Sequence, residues 1–308
     1  MIYYLSIISF FISLALTFIF YKIGERYKIY DLATEDPLKI HKKSVSCLGG
    51  LAMILAMGIV FSLKMILENN FNWQILGIII GAVLIFLIGF TDDLKWRDKF
   101  RIKRIYKFIF LVLFSGLSAL IIFKVGIGIG LILTFGFIFI LINAINYQDG
   151  MDGAAGAIVI ISLIAFGFLA WNFSNNLALL ISLVSGSITL GFLFFNFPPA
   201  KIFMGDSGAY FLGFILAVLG LIFLKPYSVL TILGLIFILG LPLLDGVFTN
   251  LRRAVKGRSI FIGDRAHFFD RLLQRGFSVR KTLLICCITH IIFVILGLSI
   301  YIYGNTII

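Results

Sequence analysis

Ten apolar runs follow one another along this chain, near residues 2–22, 48–67, 74–91, 105–123, 127–145, 153–172, 177–195, 208–224, 228–245 and 282–303. Each is close to the roughly 20 residues that a helix needs to cross a bilayer. No water reaches the backbone at that depth, so each run must satisfy its own hydrogen bonds as a helix. The expected architecture is therefore all-α: a polytopic integral membrane protein with about ten transmembrane helices, forming one membrane-embedded domain over 1–308. Composition agrees, since 13% of the residues are charged against about 25% in soluble domains. A large soluble domain, a disordered chain and a disulfide scaffold are excluded on the same ground. Cys47, Cys286 and Cys287 show no metal-ligand spacing,. The first run has no Lys or Arg before Lys22, so it lacks the basic start of a signal peptide and reads as a retained helix.

The net charge of +12 has no soluble face on which to meet nucleic acid, and its distribution explains it instead. With the connections between runs numbered in chain order, the first holds Lys22, Arg26, Lys28, Lys39, Lys42 and Lys43, and the third holds Lys95, Arg97, Lys99, Arg101, Lys103 and Arg104. Lys201 lies in the seventh, and nine more basic residues, from Arg252 to Lys281, lie in the ninth. Against these 22, the even-numbered connections hold Lys124 and Lys225. Cytoplasmic loops retain positive charge, so the odd connections are expected in the cytoplasm and both termini outside, in a cell-membrane protein. Of 14 acidic residues, Glu68 alone falls on the outer side.

Four polar clusters also belong to odd connections. Asp92 and Asp93 are adjacent carboxylates followed by Lys99, Arg101, Lys103 and Arg104. Neighbouring anions repel unless a cation or proton is shared, so the pair suits a metal, a phosphate or a general base; a solvated helix end is the plain structural alternative. Asn143, Asn146 and Asp149 recur at a spacing of three and would share one helical face. Asp152 follows, among Gly150, Gly153 and Gly156, which let a backbone approach a ligand closely. Amides and acids at membrane depth are costly and usually functional. Asp206, in Phe203-Met204-Gly205-Asp206-Ser207-Gly208, reads equally as a helix cap or a ligand. Asp264, Arg265 and His267 lie in the longest loop, where the arginines suit phosphate recognition. Oxygen donors of this kind suit a hard cation: Mg2+ binds through a few of them plus substrate phosphates. His41 is weaker evidence, and His290, inside the last run, reads as packing or hydrogen bonding. Gly126, Gly128 and Gly130 imitate a dinucleotide loop but follow no strand, and no Walker sequence occurs.

In this order, the adjacent Asp92-Asp93, the Asn143-to-Gly153 segment, the Phe203-to-Gly208 segment and the Asp264-Arg265-x-His267 segment resemble the polyprenyl-phosphate N-acetylhexosamine-1-phosphate transferases, from about Pro37 to Lys281. The resemblance implies transfer of an N-acetylhexosamine 1-phosphate, GlcNAc-1-phosphate foremost, from a UDP-N-acetylhexosamine to a polyprenyl phosphate, undecaprenyl or dolichyl, with release of UMP. It implies Mg2+, with Mn2+ as the alternative ion, on Asn146 and Asp206, and Asp152 near the uracil. It puts Asp92 and Asp93 at the lipid-phosphate end, Lys103 on the diphosphate, and Arg265 and His267 on diphosphate and sugar. Asn143, Asp149 and Asp264 complete the expected substrate-binding set, and a homodimer is compatible with it. Many relatives carry Arg at Leu38, Pro-Arg at Ser46-Cys47, and two further His where Phe269 and Asp270 stand. The last departure argues against a MurNAc-pentapeptide donor. The rival class is an ion-coupled transporter or flippase using the same carboxylates, which would set acids near the bilayer midplane and show internal repeats.

Overall fold

A computed structural model describes residues 1–29, 45–69, 71–93, 104–123, 129–224, 228–257 and 265–306. Its helices, in chain order, are α1 Ile2–Tyr27, α2 Gly49–Leu67, α3 Trp73–Asp93, α4 Arg104–Phe123, α5 Ile129–Gln148, α6 Ala154–Asn172, α7 Asn176–Asn196, α8 Gly205–Phe223, α9 Val229–Ile238, α10 Gly240–Val255, α11 Phe268–Gln274 and α12 Val279–Thr306. Eight of them are long and apolar enough to cross a membrane: α1, α2, α3, α5, α6, α7, α8 and α12. The chain is thus a polytopic, all-helical membrane protein.

The packing follows membrane rather than aqueous logic. In lipid, helices associate through small and hydroxyl-bearing residues, and large apolar side chains face the solvent, which is hydrocarbon. Helix α1 buries Leu5, Ser9, Ser13, Thr17 and Gly24 while Phe11 and Phe18 stay exposed. The Ser13 hydroxyl donates to the Ile188 carbonyl of α7 at 2.7 Å, tying two spans side by side. Asn175 starts α7 by accepting the Ala178 N–H at 3.0 Å, an ordinary N-cap.

Helix α8 is the axis of the bundle. It is buried along nearly its whole length and packs against α2, α3 and α5. The approach of α3 is close enough that a side chain on Gly89 would stand 2.6 Å from the Asp206 carbonyl and from Ser207; only glycine lets the two backbones meet there. The start of α8 thereby lies against the end of α3.

One apolar run differs from its expected form. The stretch 228–245 is not a single helix: α9 stops at Ile238 and α10 leaves at 89° to it. Pro242 has no N–H to give to the carbonyl of Ile238, four residues back, and its ring disfavours a continuous helix. The Ser162 hydroxyl of α6 supplies that carbonyl instead, at 3.1 Å. Freed backbone groups in membrane helices are commonly rescued this way. His290 of α12 lies 2.8 Å from the same hydroxyl through Nε2. Since the one hydroxyl proton goes to Ile238, Nε2 must be the donor there. His290 is therefore a buried hydrogen-bonding residue.

Candidate active site

The site forms where α3 ends and α8 begins. Gly205, at φ +71°, turns the chain into α8 through the left-handed region that glycine tolerates. The residue before it, Met204, offers no side chain to the exposed amides. Asp93 does so from α3: one carboxylate oxygen accepts the Asp206 N–H at 2.7 Å and the other the Ser207 N–H at 3.0 Å. Asp206 is therefore not the cap of its helix. It is the second residue of α8, and its side chain faces α5, where the Asn146 Nδ2 donates to Asp206 Oδ1 at 2.9 Å. Asp92, next to Asp93, is buried. The segment before α2 closes this corner: the Phe203 N–H donates to the Ser46 carbonyl at 2.7 Å, and the Cys47 thiol lies 3.8 Å from the Asp93 carbonyl.

The last turn of α5 reaches three partners with three consecutive residues. Asn146 meets Asp206. The Tyr147 ring lies 5.2 Å from the His267 ring. Gln148 Nε2 donates to Asp245 Oδ2 at 3.0 Å. Asn143 does not join them, contrary to the spacing argument: its Nδ2 donates to the Phe139 carbonyl of its own helix at 2.8 Å. Polar side chains four residues from a helix carbonyl can bond back to it. Asp149 is half-buried beyond the end of α5. Asp152 accepts the Ala200 N–H at 2.9 Å, and Asn196 accepts the Gly153 N–H at 3.1 Å. Together these two bonds brace the glycine-rich segment against the Pro198-Pro199 turn, whose peptide bond is cis.

The break before α10 brings in residues that spacing alone did not single out. Asp245, Thr249 and Arg253 are buried along one face of α10, and Val247, Phe248 and Leu251 are exposed on the other. Asp245 Oδ2 lies 2.8 Å from His267 Nδ1 and its Oδ1 accepts the Phe268 N–H at 2.9 Å. Asp270 closes the start of α11 by accepting the His267 N–H at 3.3 Å and facing Arg265 Nε at 3.5 Å. Burial holds the Asp270 carboxyl above the usual carboxylate range, partly offset by that backbone donor and by His267 and Arg265. The signal for Asp245 was present as an acid at the end of an apolar run, followed by Thr249 and Arg253 at a spacing of four; a straight span ending there hid it. Lys103 and Asp264 lie outside the described residues, as do Leu38 and His41.

The donor set can be tested against a hard cation. The nitrogen of Asn146 must face Asp206, because a carboxylate only accepts. The Asn146 oxygen is then left, among the described residues, with no hydrogen-bond donor. No group of three or more His, Cys, Asp or Glu able to cage a metal exists among the described residues. One amide oxygen and one carboxylate fit an ion that completes its shell with water and substrate phosphates, as Mg2+ does. The arrangement as a whole, with acids, an amide, an imidazole and an arginine linked through the last turn of α5 and the start of α11, suits anionic substrates.

Comparison with known proteins carries this further. The family model for glycosyl transferase family 4 matches residues 75–224. The chain is 32% identical over 307 residues to the probable undecaprenyl-phosphate N-acetylglucosaminyl 1-phosphate transferase of Bacillus subtilis, covering 93% of this chain and 82% of that protein. It is 33% identical over 262 residues to a phospho-N-acetylmuramoyl-pentapeptide-transferase of Streptococcus agalactiae, covering 76% and 78%. A Streptococcus pyogenes protein of the same description is 31% identical over 257 residues, covering 76% of each chain. The chain belongs to glycosyl transferase family 4. Nothing in these comparisons supports a transporter or flippase.

Proposed function

We propose that this protein transfers an N-acetylhexosamine 1-phosphate, GlcNAc-1-phosphate first, from its UDP-sugar to a polyprenyl phosphate, yielding the polyprenyl diphosphate sugar and UMP. The observation that carries the reading is the meeting of Asp93, Asn146 and Asp206 at the start of α8, with His267 held at the end of the same α5 turn. The likeness to a GlcNAc-1-phosphate transferase over nearly the whole chain supports the sugar.

An oxygen of the lipid phosphate bonds to the β-phosphorus, and the bond from that phosphorus to the bridging oxygen breaks as UMP leaves. Two anions must meet, so catalysis rests on positioning and charge. Asn146 and Asp206 would hold Mg2+, or Mn2+ in its place. When bound, the ion neutralises diphosphate oxygens and stabilises the departing UMP. Arg265, with Lys103, takes up further phosphate charge, and His267 faces diphosphate or sugar. Asp264 and Asp149 complete that contact set, and Asp152 lies toward the uracil. Asp92 orients or deprotonates the acceptor phosphate for direct attack. Asp93, with a backbone N–H on each oxygen, is poorly available as a covalent nucleophile.

The active site faces the cytoplasm in this reading, with both termini outside and about ten spans, counting α4 and the bent α9–α10 pair. The Lys and Arg distribution supports that orientation, and a homodimer is compatible with it. The test is UMP release by purified protein from a panel of UDP-sugars. Release requiring UDP-N-acetylglucosamine, undecaprenyl phosphate and Mg2+ together is expected. Release only from UDP-N-acetylmuramoyl-pentapeptide would replace the sugar, and release without lipid phosphate would overturn the reaction.

A further inference from the structure

We propose that Asp245 is a positioning residue that fixes the tautomer and the direction of His267, so that Nε2 is the nitrogen presented to the substrate. This rests on the proposed transfer for its kinetic arm alone. A neutral imidazole carries one proton, and the hydrogen bond made by one ring nitrogen decides the chemistry of the other. The Asp245 carboxylate can only accept, and it lies 2.8 Å from Nδ1. The proton therefore belongs on Nδ1, and Nε2 keeps its lone pair. Among the described residues nothing hydrogen-bonds Nε2, although Nδ1 has both Asp245 and, at 3.4 Å, the Thr249 hydroxyl.

Asp245 is itself held from three directions. Gln148 reaches it from α5, the Phe268 N–H from the start of α11, and its own backbone from α10. Only 8% of its side chain is exposed, so water does not compete for these bonds. The plane of the imidazole is fixed separately. Phe269 stacks on His267 at 5.8 Å and 12°, Tyr147 covers it at 5.2 Å, and the Arg253 guanidinium lies 5.6 Å over the Tyr147 ring. Phe269 in turn lies against Gly150, where an added side-chain carbon would stand 2.6 Å from its ring. In-plane rotation is set by Asp245 and tilt by the stack. Gln148 and Asn146 share one turn of α5, so the imidazole and the Asp206 corner are indexed to the same piece of backbone.

The test combines a spectroscopic and a kinetic readout. In full-length protein labelled with 15N-histidine, the His267 signals, assigned by their loss in His267→Gln, are read across a pH series and the tautomer taken from the neutral-ring form. The wild type should show the Nδ1–H form, and Asp245→Asn should shift it toward Nε2–H, because the new amide can donate to Nδ1. An Nε2–H form in the wild type overturns the proposal even if no variant folds, and an unchanged tautomer in Asp245→Asn does the same. Kinetically, Asp245→Asn should lower kcat/KM for UMP release from UDP-N-acetylglucosamine by about 100-fold, the scale of a small misplacement of a reacting group. In the His267→Gln background the same change should have almost no further effect, since residues acting through one another are non-additive. Equal losses in both backgrounds would mean a general structural role and overturn it. Absence of UMP release in the wild type would count against the proposed reaction, and the tautomer measurement would still judge Asp245.

Discussion

Asp93 and Asp206 stand 113 residues apart, and one completes the local structure of the other. Four amides at a helix start need partners, and α8 draws two of its acceptors from α3 rather than from its own sequence. Asp93→Ala should cost about 1 kcal/mol, as loss of a capping side chain does, and should lower turnover because Asp206 loses its register. Thermal unfolding in detergent together with UMP release would check both; full activity with an unchanged melting temperature would contradict the clamp. Asp206→Asn should leave the fold intact while turnover falls by about 100-fold or more, the scale of a lost electrostatic contact to the reacting group. Its Mg2+ requirement should rise, and near-normal activity at ordinary Mg2+ would remove Asp206 from the metal. Asp270 makes a prediction of opposite sign to most carboxylates. Burial raises its folded pKa, so its contribution to stability is complete below the ordinary Asp range and is lost as pH rises through the raised value. Relative to wild type, Asp270→Asn should gain stability across that acidic window, measured as melting temperature against pH; a parallel shift at all pH values would refute it.

At the level of elements, the break between α9 and α10 decides where the chemistry can be. A straight ninth span would have left Asp245 at a membrane boundary, and Thr249 and Arg253 in a loop. The 89° turn carries all three, four residues apart, to one buried face. It leaves the Ile238 carbonyl without a helical donor, and Ser162 meets it. Ser162→Ala should therefore destabilise the protein by about 1–3 kcal/mol, the cost of an unsatisfied buried polar group. Unfolding in detergent would measure it, and a loss below a few tenths would show that the carbonyl finds another donor. Helix α1 illustrates the complementary case: beyond Leu5 its buried face is serine, threonine and glycine, so a hydrophobicity profile marks the span without revealing which side packs.

Across the whole molecule, the charge distribution makes a prediction about orientation. Lys256, after α10, belongs to the basic set of connections, and Asn69, between α2 and α3, to the opposite set. In oriented vesicles, with Cys287 replaced, a cysteine at 256 should be labelled from the cytoplasmic side and one at 69 from outside. Reversed labelling would invert the site. Trp73 and Trp171, both exposed, then lie at the outer membrane boundary, where amphipathic rings are favoured.

The amino-acid sequence by itself determined the solvent and the helical character of this protein, because apolar run length and obligatory helix formation in lipid are local properties. It also marked Asp92, Asp93, Asn146, Asp152, Asp206 and His267 through short motifs. Tertiary structure alone decided how they divide the work. Asp93 became a clamp because α3 ends against α8, Asn143 turned back on its own helix, and Asp245 entered because Pro242 and Ser162 let one apolar run bend. Hydrogen bonds between residues 60, 97 or 113 positions apart depend on which helices touch. Periodicity along a single helix carries no information about its neighbours, since lipid and protein present it with almost the same apolar surroundings.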